Sequence, residues 1–309
     1  MVFFTRNNLE NLPNLYFYSG TDTHNFIRGD MSECLSVKPV LWNGEVQDVV
    51  EPDQDQEYLT FTFLEAGKFY WVDAHVTQTS RTIQWTRTPK DESSWQNVTS
   101  SYDNANDETG NTHEGTRIAE VAMGDKIYVR GTNSTYCIKS GGIYYYNYFR
   151  TTGAYELSGN IMSLTWGSDF KGKTAFQSGS TFTFCSLFYN PQFGANSNRT
   201  LESVDGLVMP ATSLVESCYE SMFQGCTYLV SAPLLPATAG ATNCYKNMYN
   251  SCSNLTTVKS MLHSPSASYT DDWLEDVPSS GTFFYSRGQT WPSGQDGIPS
   301  GWASYDIYD

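Results

Sequence analysis

Short stretches of strand-like sequence dominate the first half of the chain. Residues 58–63 alternate between apolar and polar side chains, and further strand-like stretches follow at 68–72, 82–86 and 126–130. Alternation with a period of two is typical of strands that bury one face. Because turn-forming residues separate these stretches and no helical period is present, we predict a β-sandwich over residues 58–150. Its core is expected to include the tryptophans of this segment, Trp71, Trp85 and Trp95.

The second half of the chain contains an internal repeat of 26 residues. Cys218 and Cys226 recur as Cys244 and Cys252, and the residues around them recur with the same offset. A period of this size is typical of leucine-rich solenoids, in which one copy buries its apolar face only against a neighbour. We therefore predict a solenoid over residues 179–262. Its expected core positions are Cys218, Met222, Cys226, Leu229, Cys244, Met248, Cys252 and Leu255.

Each repeat is predicted to hold a short helix followed by a short strand. Leu214, Cys218 and Met222 are spaced i, i+4, i+8, which would place them on one stripe of a helix. Residues 229–236 contain two prolines and are expected to be extended, because the residue before a proline disfavours the helical region. The predicted fold class is mainly β with short helices, comprising an N-terminal extension, a β-sandwich and a short solenoid.

The four repeat cysteines are predicted to be buried and reduced. Stacking of successive copies would place Cys218 beside Cys244 and Cys226 beside Cys252 in the interior. Zinc sites generally pair cysteines two to four residues apart, whereas seven residues separate the two cysteines of each copy here. Disulfides between copies stay open as an alternative, because cysteine spacing alone does not fix pairing.

The repeat resembles that of BspA-like leucine-rich-repeat proteins. Residues 218–237 are similar to the pattern Cys-Tyr-x-x-Met-Phe-x-x-Cys-x-x-Leu-x-x-Ala-Pro-x-Leu-Pro-Ala, which occurs in a subgroup of Bacteroidales surface proteins and of proteins from phages of those bacteria. The segment at 158–173 and the sequence Gly-Ile-Pro-Ser-Gly-Trp at 297–302 resemble the same subgroup. The chain departs from it in repeat number, with two good copies and one degenerate copy.

The resemblance also implies how the regions around the repeats are organised. It covers about residues 58–309 and implies a linker and N-terminal solenoid cap at 151–178. A C-terminal cap is implied at 263–309. The cap residues implied by the resemblance are Trp273, Trp291 and Trp302.

Composition and charge narrow the range of partners. The chain of 309 residues carries 18 Lys and Arg against 33 Asp and Glu, for a formal net charge of −15. A surface that follows nucleic-acid phosphates needs clustered cations, so neither nucleic acid nor an anionic membrane is expected as a partner. No apolar stretch approaches the roughly 18 residues that a membrane-spanning helix needs. The aromatic share of 15% argues against a disordered chain.

Residues 1–57 are predicted to be an anchoring segment. Their large apolar residues are too few for an independent core, so binding to a larger assembly would supply the missing burial. An irregular extension packed on the sandwich is the other interpretation. The first eight residues contain neither a basic region nor an apolar core of a secretory leader, and we expect a protein that does not use one.

Sequence motifs for catalysis or metal binding are scarce. His24, His75, His113 and His263 lie in separate segments, and no nucleophile elbow, phosphate loop or zinc-protease motif is present. Residues 103–107 supply only part of a calcium-loop pattern, and solvated loop carboxylates are expected there. No catalytic residue, cofactor or metal ligand is therefore predicted.

Three classes of function follow from these features. We expect a non-enzymatic structural or adhesion protein, in the first place a virion component of a phage infecting Bacteroidales, such as a head or tail fibre or a capsid decoration. A bacterial cell-surface adhesin is the alternative, and a carbohydrate-active enzyme is the third class. The expected partners are other virion proteins through residues 1–57, further copies of the chain, and a host-surface glycan or protein. The residues proposed to contact such a host molecule are Tyr228, Tyr249 and Asn250.

Overall fold

A computed structural model describes residues 57–74, 80–104, 113–189 and 201–307, together with two short strands nearer the N-terminus. The chain is mainly β, as predicted. The strands are β1 (Tyr16–Tyr18), β2 (Phe26–Arg28), β3 (Leu59–Phe63), β4 (Gly67–Asp73), β5 (Thr82–Thr86), β6 (Gln96–Thr99), β7 (Ser101–Asn104), β8 (His113–Glu114), β9 (Thr116–Val121), β10 (Lys126–Arg130), β11 (Cys137–Ser140), β12 (Ile143–Thr151), β13 (Tyr155–Asn160), β14 (Leu201–Val208), β15 (Ser231–Leu235), β16 (Thr257–Ser260), β17 (Thr282–Ser286) and β18 (Ala303–Ile307). The described helices are short: α1 (Ser163–Trp166), α2 (Ala267–Thr270), and the 3-10 helices Glu92–Ser94 and Gly167–Asp169.

Two six-stranded sheets pack their inner faces against each other. The first has the order β14-β13-β3-β10-β5-β6, and the second has the order β11-β12-β4-β7-β8 with β9 paired to β4. The Phe61 ring of β3 lies 4.5 Å from Phe69 of β4 and 4.9 Å from Phe149 of β12, measured between ring centroids, and all three are fully buried. Trp71 and Trp95 are buried as predicted, whereas Trp85 is half-buried at the margin of the core.

The core of these sheets continues into the repeat region. The Phe188 ring, which lies between β13 and β14 in the chain, stacks on Phe149 with centroids 5.9 Å apart. Strand β14 pairs in parallel with β13 and so lengthens the first sheet. One hydrophobic cluster runs from Leu59 to Trp302, and Pro52–Ile307 form one compact unit. A separate β-sandwich domain is therefore not confirmed.

The repeats stack as coils of a β-solenoid-like structure. Strands β15 to β18 form a parallel sheet in which Ser231, Thr257, Thr282 and Ala303 are register partners in turn. Successive partners are 26, 25 and 21 residues apart, so the predicted 26-residue period is the length of the first of these coils. Strand β15 is short and its register shifts before Leu234, beside Pro233, which has no N–H to donate.

The helix predicted from Leu214, Cys218 and Met222 was wrong. Residues 216–225 instead form a run of tight turns with left-handed backbone at every fourth position: φ is 52° at Ser217, 55° at Ser221 and 78° at Gly225. An α-helix of 3.6 residues per turn would rotate a strict four-residue pattern by about 40° at each step. A run of turns that repeats every four residues keeps the pattern on one face.

Backbone hydrogen bonds in these turns alternate between two directions. The N–H of Cys218 donates to Val215 O within its own coil at 3.3 Å, whereas the N–H of Ser217 donates to Thr242 O of the next coil at 2.9 Å. The alternation continues along the turns, and every second N–H reaches the following coil. The further bonds between these two coils are Tyr219 N to Cys244 O, Ser221 N to Lys246 O, Phe223 N to Met248 O and Gly225 N to Asn250 O. The turn run of one coil is therefore hydrogen-bonded to that of the next coil, as neighbouring strands of a sheet are.

Strands β1 and β2 form an antiparallel pair in which Phe17 lies opposite Ile27. They belong to a compact unit other than Pro52–Ile307. Apart from these two strands and Glu57, the predicted anchoring segment 1–57 lies outside the described residues. Its proposed role stays a prediction.

Candidate functional site

The repeat core residues occupy the interior of the solenoid, as predicted. The side chains of the eight predicted positions are each at most 1% exposed: Cys218, Met222, Cys226, Leu229, Cys244, Met248, Cys252 and Leu255. The repeat cysteines are free thiols that face backbone oxygens of a neighbouring coil. Cys252 Sγ donates to Phe223 O at 3.1 Å, and Cys226 Sγ donates to Phe188 O at 3.3 Å. These columns therefore pack coil against coil.

Burial makes the repeat thiols unreactive. Desolvation raises the pKa of the Cys244 thiol and of the Cys252 thiol to about 12, and it raises the pKa of Cys218 and Cys226 well above the ordinary value. Because the thiolate is the nucleophile and the metal ligand, such groups are poor candidates for either role. Their contribution is to packing.

Two aromatic ladders run beside the sulfur columns. In one, the rings of Phe184, Tyr219 and Tyr245 stack with centroids 5.9 Å apart at each step. In the other, Phe188, Phe223 and Tyr249 stack at 5.5 and 5.7 Å. The aromatic residues that directly follow Cys218, Met222, Cys244 and Met248 therefore fill the interior with rings in register. Each stacked pair is worth about 0.5–1.5 kcal/mol beyond area burial.

The three predicted cap tryptophans lie at the C-terminal end of the ladders. Trp273 contacts both Tyr245 and Tyr249, and Trp291 stacks on it with centroids 5.4 Å apart. Trp302 is buried and its Nε1 donates to Pro278 O at 2.7 Å. The Asp296 carboxylate accepts the N–H of Asp272 at 2.8 Å, in the position where another coil would offer a carbonyl. At this step a side-chain oxygen takes the place of a backbone carbonyl, whereas the N–H of Leu274 still donates to Gln295 O at 3.2 Å.

One aligned set of side chains faces solvent on the parallel sheet, and we name it the outer row. It consists of Leu234, Lys259, Phe284 and Tyr305, which are register partners on β15 to β18. Leu234 is 47% exposed and Tyr305 is 56% exposed. The rings of Phe284 and Tyr305 stack at 5.9 Å, and Lys259 Nζ lies 5.9 Å from the Phe284 centroid. Outward-facing aromatic and aliphatic groups of this kind suit a contact surface.

Of the three predicted surface contacts, two are buried. Tyr228 is 47% exposed, in agreement with the prediction, but Tyr249 is fully buried and Asn250 is only 8% exposed. Tyr249 occupies the ladder position equivalent to Phe223. Asn250 donates from Nδ2 to Glu275 Oε2 at 2.7 Å and accepts from Gln224 at 3.4 Å, so its amide joins three coils. Neither side chain is available to a host molecule.

The acidic residues that lie close together in the structure bond to side chains of neighbouring coils. In the described part of the chain, the carboxylates of Asp271, Asp272 and Asp296 form one cluster within 4.8 Å. Lys246 pairs with Asp271, and Gln295 donates to Asp272. His263 Nε2 lies 3.0 Å from Ser286 Oγ, whereas His24, His75 and the calcium-loop pattern at 105–107 lie outside the described residues.

A polar cavity of about 450 Å³ was not foreseen from the sequence. It lies between the start of β5 and the loop 132–135, and Arg81 is its cation. The hydroxyl-bearing residues of its wall come from two segments about 50 positions apart, and neither segment carries a recognised binding motif. Only the pairing of β5 with β10 brings these segments together.

Comparisons with known proteins give no relative for this chain: no family model, no curated protein and no solved structure matches it. Among the described residues, no helix is long and apolar enough to cross a membrane.

We expect the four repeat cysteines, Cys218, Cys226, Cys244 and Cys252, to resist labelling in the native protein. At pH 8 a thiol with a pKa near 12 is only about one part in 10⁴ thiolate, so an aromatic disulfide reagent should react with none of them. After unfolding, all of them should react. Recovery of a peptide that links Cys218 to Cys244, or Cys226 to Cys252, would contradict this expectation.

The same burial predicts loss of stability in alkali. The folded-state pKa of Cys244 and Cys252 is raised from 9.0 to about 12, so the folded protein binds more protons than the unfolded chain above pH 9. Stability should be constant from pH 7 to 9 and then fall by up to about 1.4 kcal/mol per pH unit for each such thiol. Denaturant unfolding across this range measures it. Cys252→Ala should reduce the slope, and a flat profile between pH 9 and 11 would show that the thiols are not buried.

Proposed function

We propose that this chain is a non-enzymatic structural and attachment protein, and that it is a virion component of a phage infecting Bacteroidales. The resemblance of its repeat to BspA-like leucine-rich repeats of phage and surface proteins supports this proposal. So does the arrangement of the solenoid, whose sulfur and aromatic columns occupy the interior positions. The side chains that recur from coil to coil pack against one another in the interior, which suits a part that must hold its form outside a cell.

The observation that carries the proposal is the outer row. Leu234, Lys259, Phe284 and Tyr305 lie in register across four parallel strands of a sheet whose other face is packed. Leu234, Lys259 and Tyr305 are exposed, and Phe284 is half-buried between its neighbours. Large apolar groups at such positions cost solubility unless they are covered part of the time. Stacked aromatic rings supply contact area with little loss of side-chain entropy, because each has only two side-chain torsions. We propose that this row contacts the host surface.

The proposed anchor and the proposed contact surface can be tested separately. Phage particles from a Bacteroidales host are grown while the host supplies a tagged copy of the full chain or of a chain that lacks residues 1–51. Residues 52–57 are kept because Asn160 donates its N–H to Glu57 O at 2.9 Å. The full chain should copurify with particles. The truncated chain should fold with an unchanged unfolding temperature but should be absent from particles.

A surface variant provides the matched control. Phe284→Ser/Tyr305→Ser should enter particles normally and should reduce adsorption to host cells about tenfold or more. If the tagged full chain is found on the bacterial surface and never in particles, the adhesin alternative replaces the virion proposal. If adsorption is unchanged in the double variant, the outer row is not the contact surface.

A further inference from the structure

The open polar cavity beside Arg81 is lined by one arginine, one asparagine, two serines and three threonines among the described residues. Its volume of about 450 Å³ lies within the range of roughly 300–1,000 Å³ that is typical for small-molecule sites. Its lining includes one cation and, among the described residues, no carboxylate, in a chain with a net charge of −15. The loop 132–135 that forms one wall also contacts the first turn of the solenoid, since Thr135 Oγ1 lies 3.2 Å from Phe182 O.

The Arg81 guanidinium is held in place by the backbone. Its Nε donates to Thr135 O at 3.0 Å, and its Nη1 donates to Ser80 O at 3.4 Å. The backbone of Arg81 is fixed as well, because Trp71 Nε1 donates to its carbonyl at 2.7 Å. In the described part of the chain Nη2 has no hydrogen-bond partner. A planar guanidinium fixed in this way can meet a carboxylate with little loss of side-chain entropy.

The remaining polar groups of the wall match sugar hydroxyls. The hydroxyls of Ser80, Thr132 and Ser134 make no hydrogen bond to any other described residue, and each of these residues is exposed. The Asn133 amide donates to Thr82 O at 2.8 Å and to Tyr136 Oη at 3.2 Å, which fixes the amide plane and leaves its oxygen for a donor. Rotatable hydroxyls can donate or accept, so they can pair with either side of a sugar hydroxyl.

We propose that this cavity binds a carboxylate-bearing saccharide, a sugar acid, with the carboxylate on Arg81 and the ring hydroxyls on Ser80, Thr132, Asn133 and Ser134. A neutral sugar would leave the guanidinium without a counter-charge, and a bare anion would leave the hydroxyl groups without partners. As an account of host recognition this rests on the attachment role proposed above. Sugar binding by the purified chain does not depend on that role, and the two can fail separately.

The test is a titration of the full chain with methyl glucuronide, methyl glucoside and acetate, followed by amide chemical shifts. A ligand of this size should bind with a Kd of about 1 mM. The glucuronide should shift amides in segments 80–82 and 132–135, and its affinity should exceed that of the other two probes at least tenfold. Arg81→Gln should lose this affinity at least tenfold. Arg117→Gln, which removes another arginine of the sheets, should bind as the parent does.

Three results would overturn the proposal. Equal affinity for glucoside and glucuronide would show that Arg81 does not recognise the carboxylate. Equal affinity for acetate and glucuronide would show that the cavity binds any small anion and does not recognise the sugar. Absence of shifts at about 10 mM glucuronide would remove the site altogether. If the Arg81→Gln protein does not fold, the variants Ser134→Ala and Thr132→Val test the site instead. Each should weaken glucuronide binding a few-fold at an unchanged unfolding temperature. None of these outcomes bears on whether the chain is incorporated into particles, which is the test of the virion proposal.

Discussion

The hydrogen bonds that pass from one turn run to the next determine the rest of this structure. Every second N–H between Ser217 and Gly225 leaves its own coil and reaches a carbonyl of the following coil, while the intervening N–H groups close turns within the coil. The arrangement needs left-handed backbone at every fourth residue, and apart from Phe182 in the first coil the sequence places small or polar residues there. These residues are Ser217, Ser221, Gly225, Asn243, Asn247, Ser251, Asp272 and Asp276. Asn, Asp and Gly are the residues that adopt this conformation at least cost.

Once the turn runs are joined in this way, the positions between the left-handed residues fall into columns. Sulfur stands above sulfur and ring above ring, so that Phe223 and Tyr249 are parallel and 5.7 Å apart. The same columns begin against the two sheets, where Phe188 stacks on Phe149, and they end against Trp273. Side chains that the coils do not use for stacking are left for contacts with other molecules, as in the outer row.

The sequence predicted those features that depend on burial and period. The 26-residue offset gave the coil length, the alternation at 58–63 gave β3, and the repeated cysteines were correctly placed in the interior. The helix was wrong because a spacing of i, i+4, i+8 fits both a helical stripe and a four-residue turn repeat. The Ser, Asn and Gly residues at every fourth position were the signal that separates the two. Tyr249 and Asn250 were misplaced because they were treated as surface residues, although Tyr249 is the repeat equivalent of the buried Phe223 and Asn250 bonds between coils. The Arg81 cavity depends on strand pairing between distant segments, which no local pattern records.

Asn247 offers the most direct test of the turn repeat. Its φ is 53°, its side chain is half-buried, and its N–H donates to Asp271 O of the next coil. The measurement is the free energy of unfolding of Asn247→Gly and Asn247→Ala, determined in parallel by denaturant titration. Left-handed backbone favours glycine, so the glycine variant should be more stable than the alanine variant by about 1 kcal/mol. A helix at this position requires the opposite order by a similar amount, and an alanine variant as stable as the glycine variant or more stable would contradict the account.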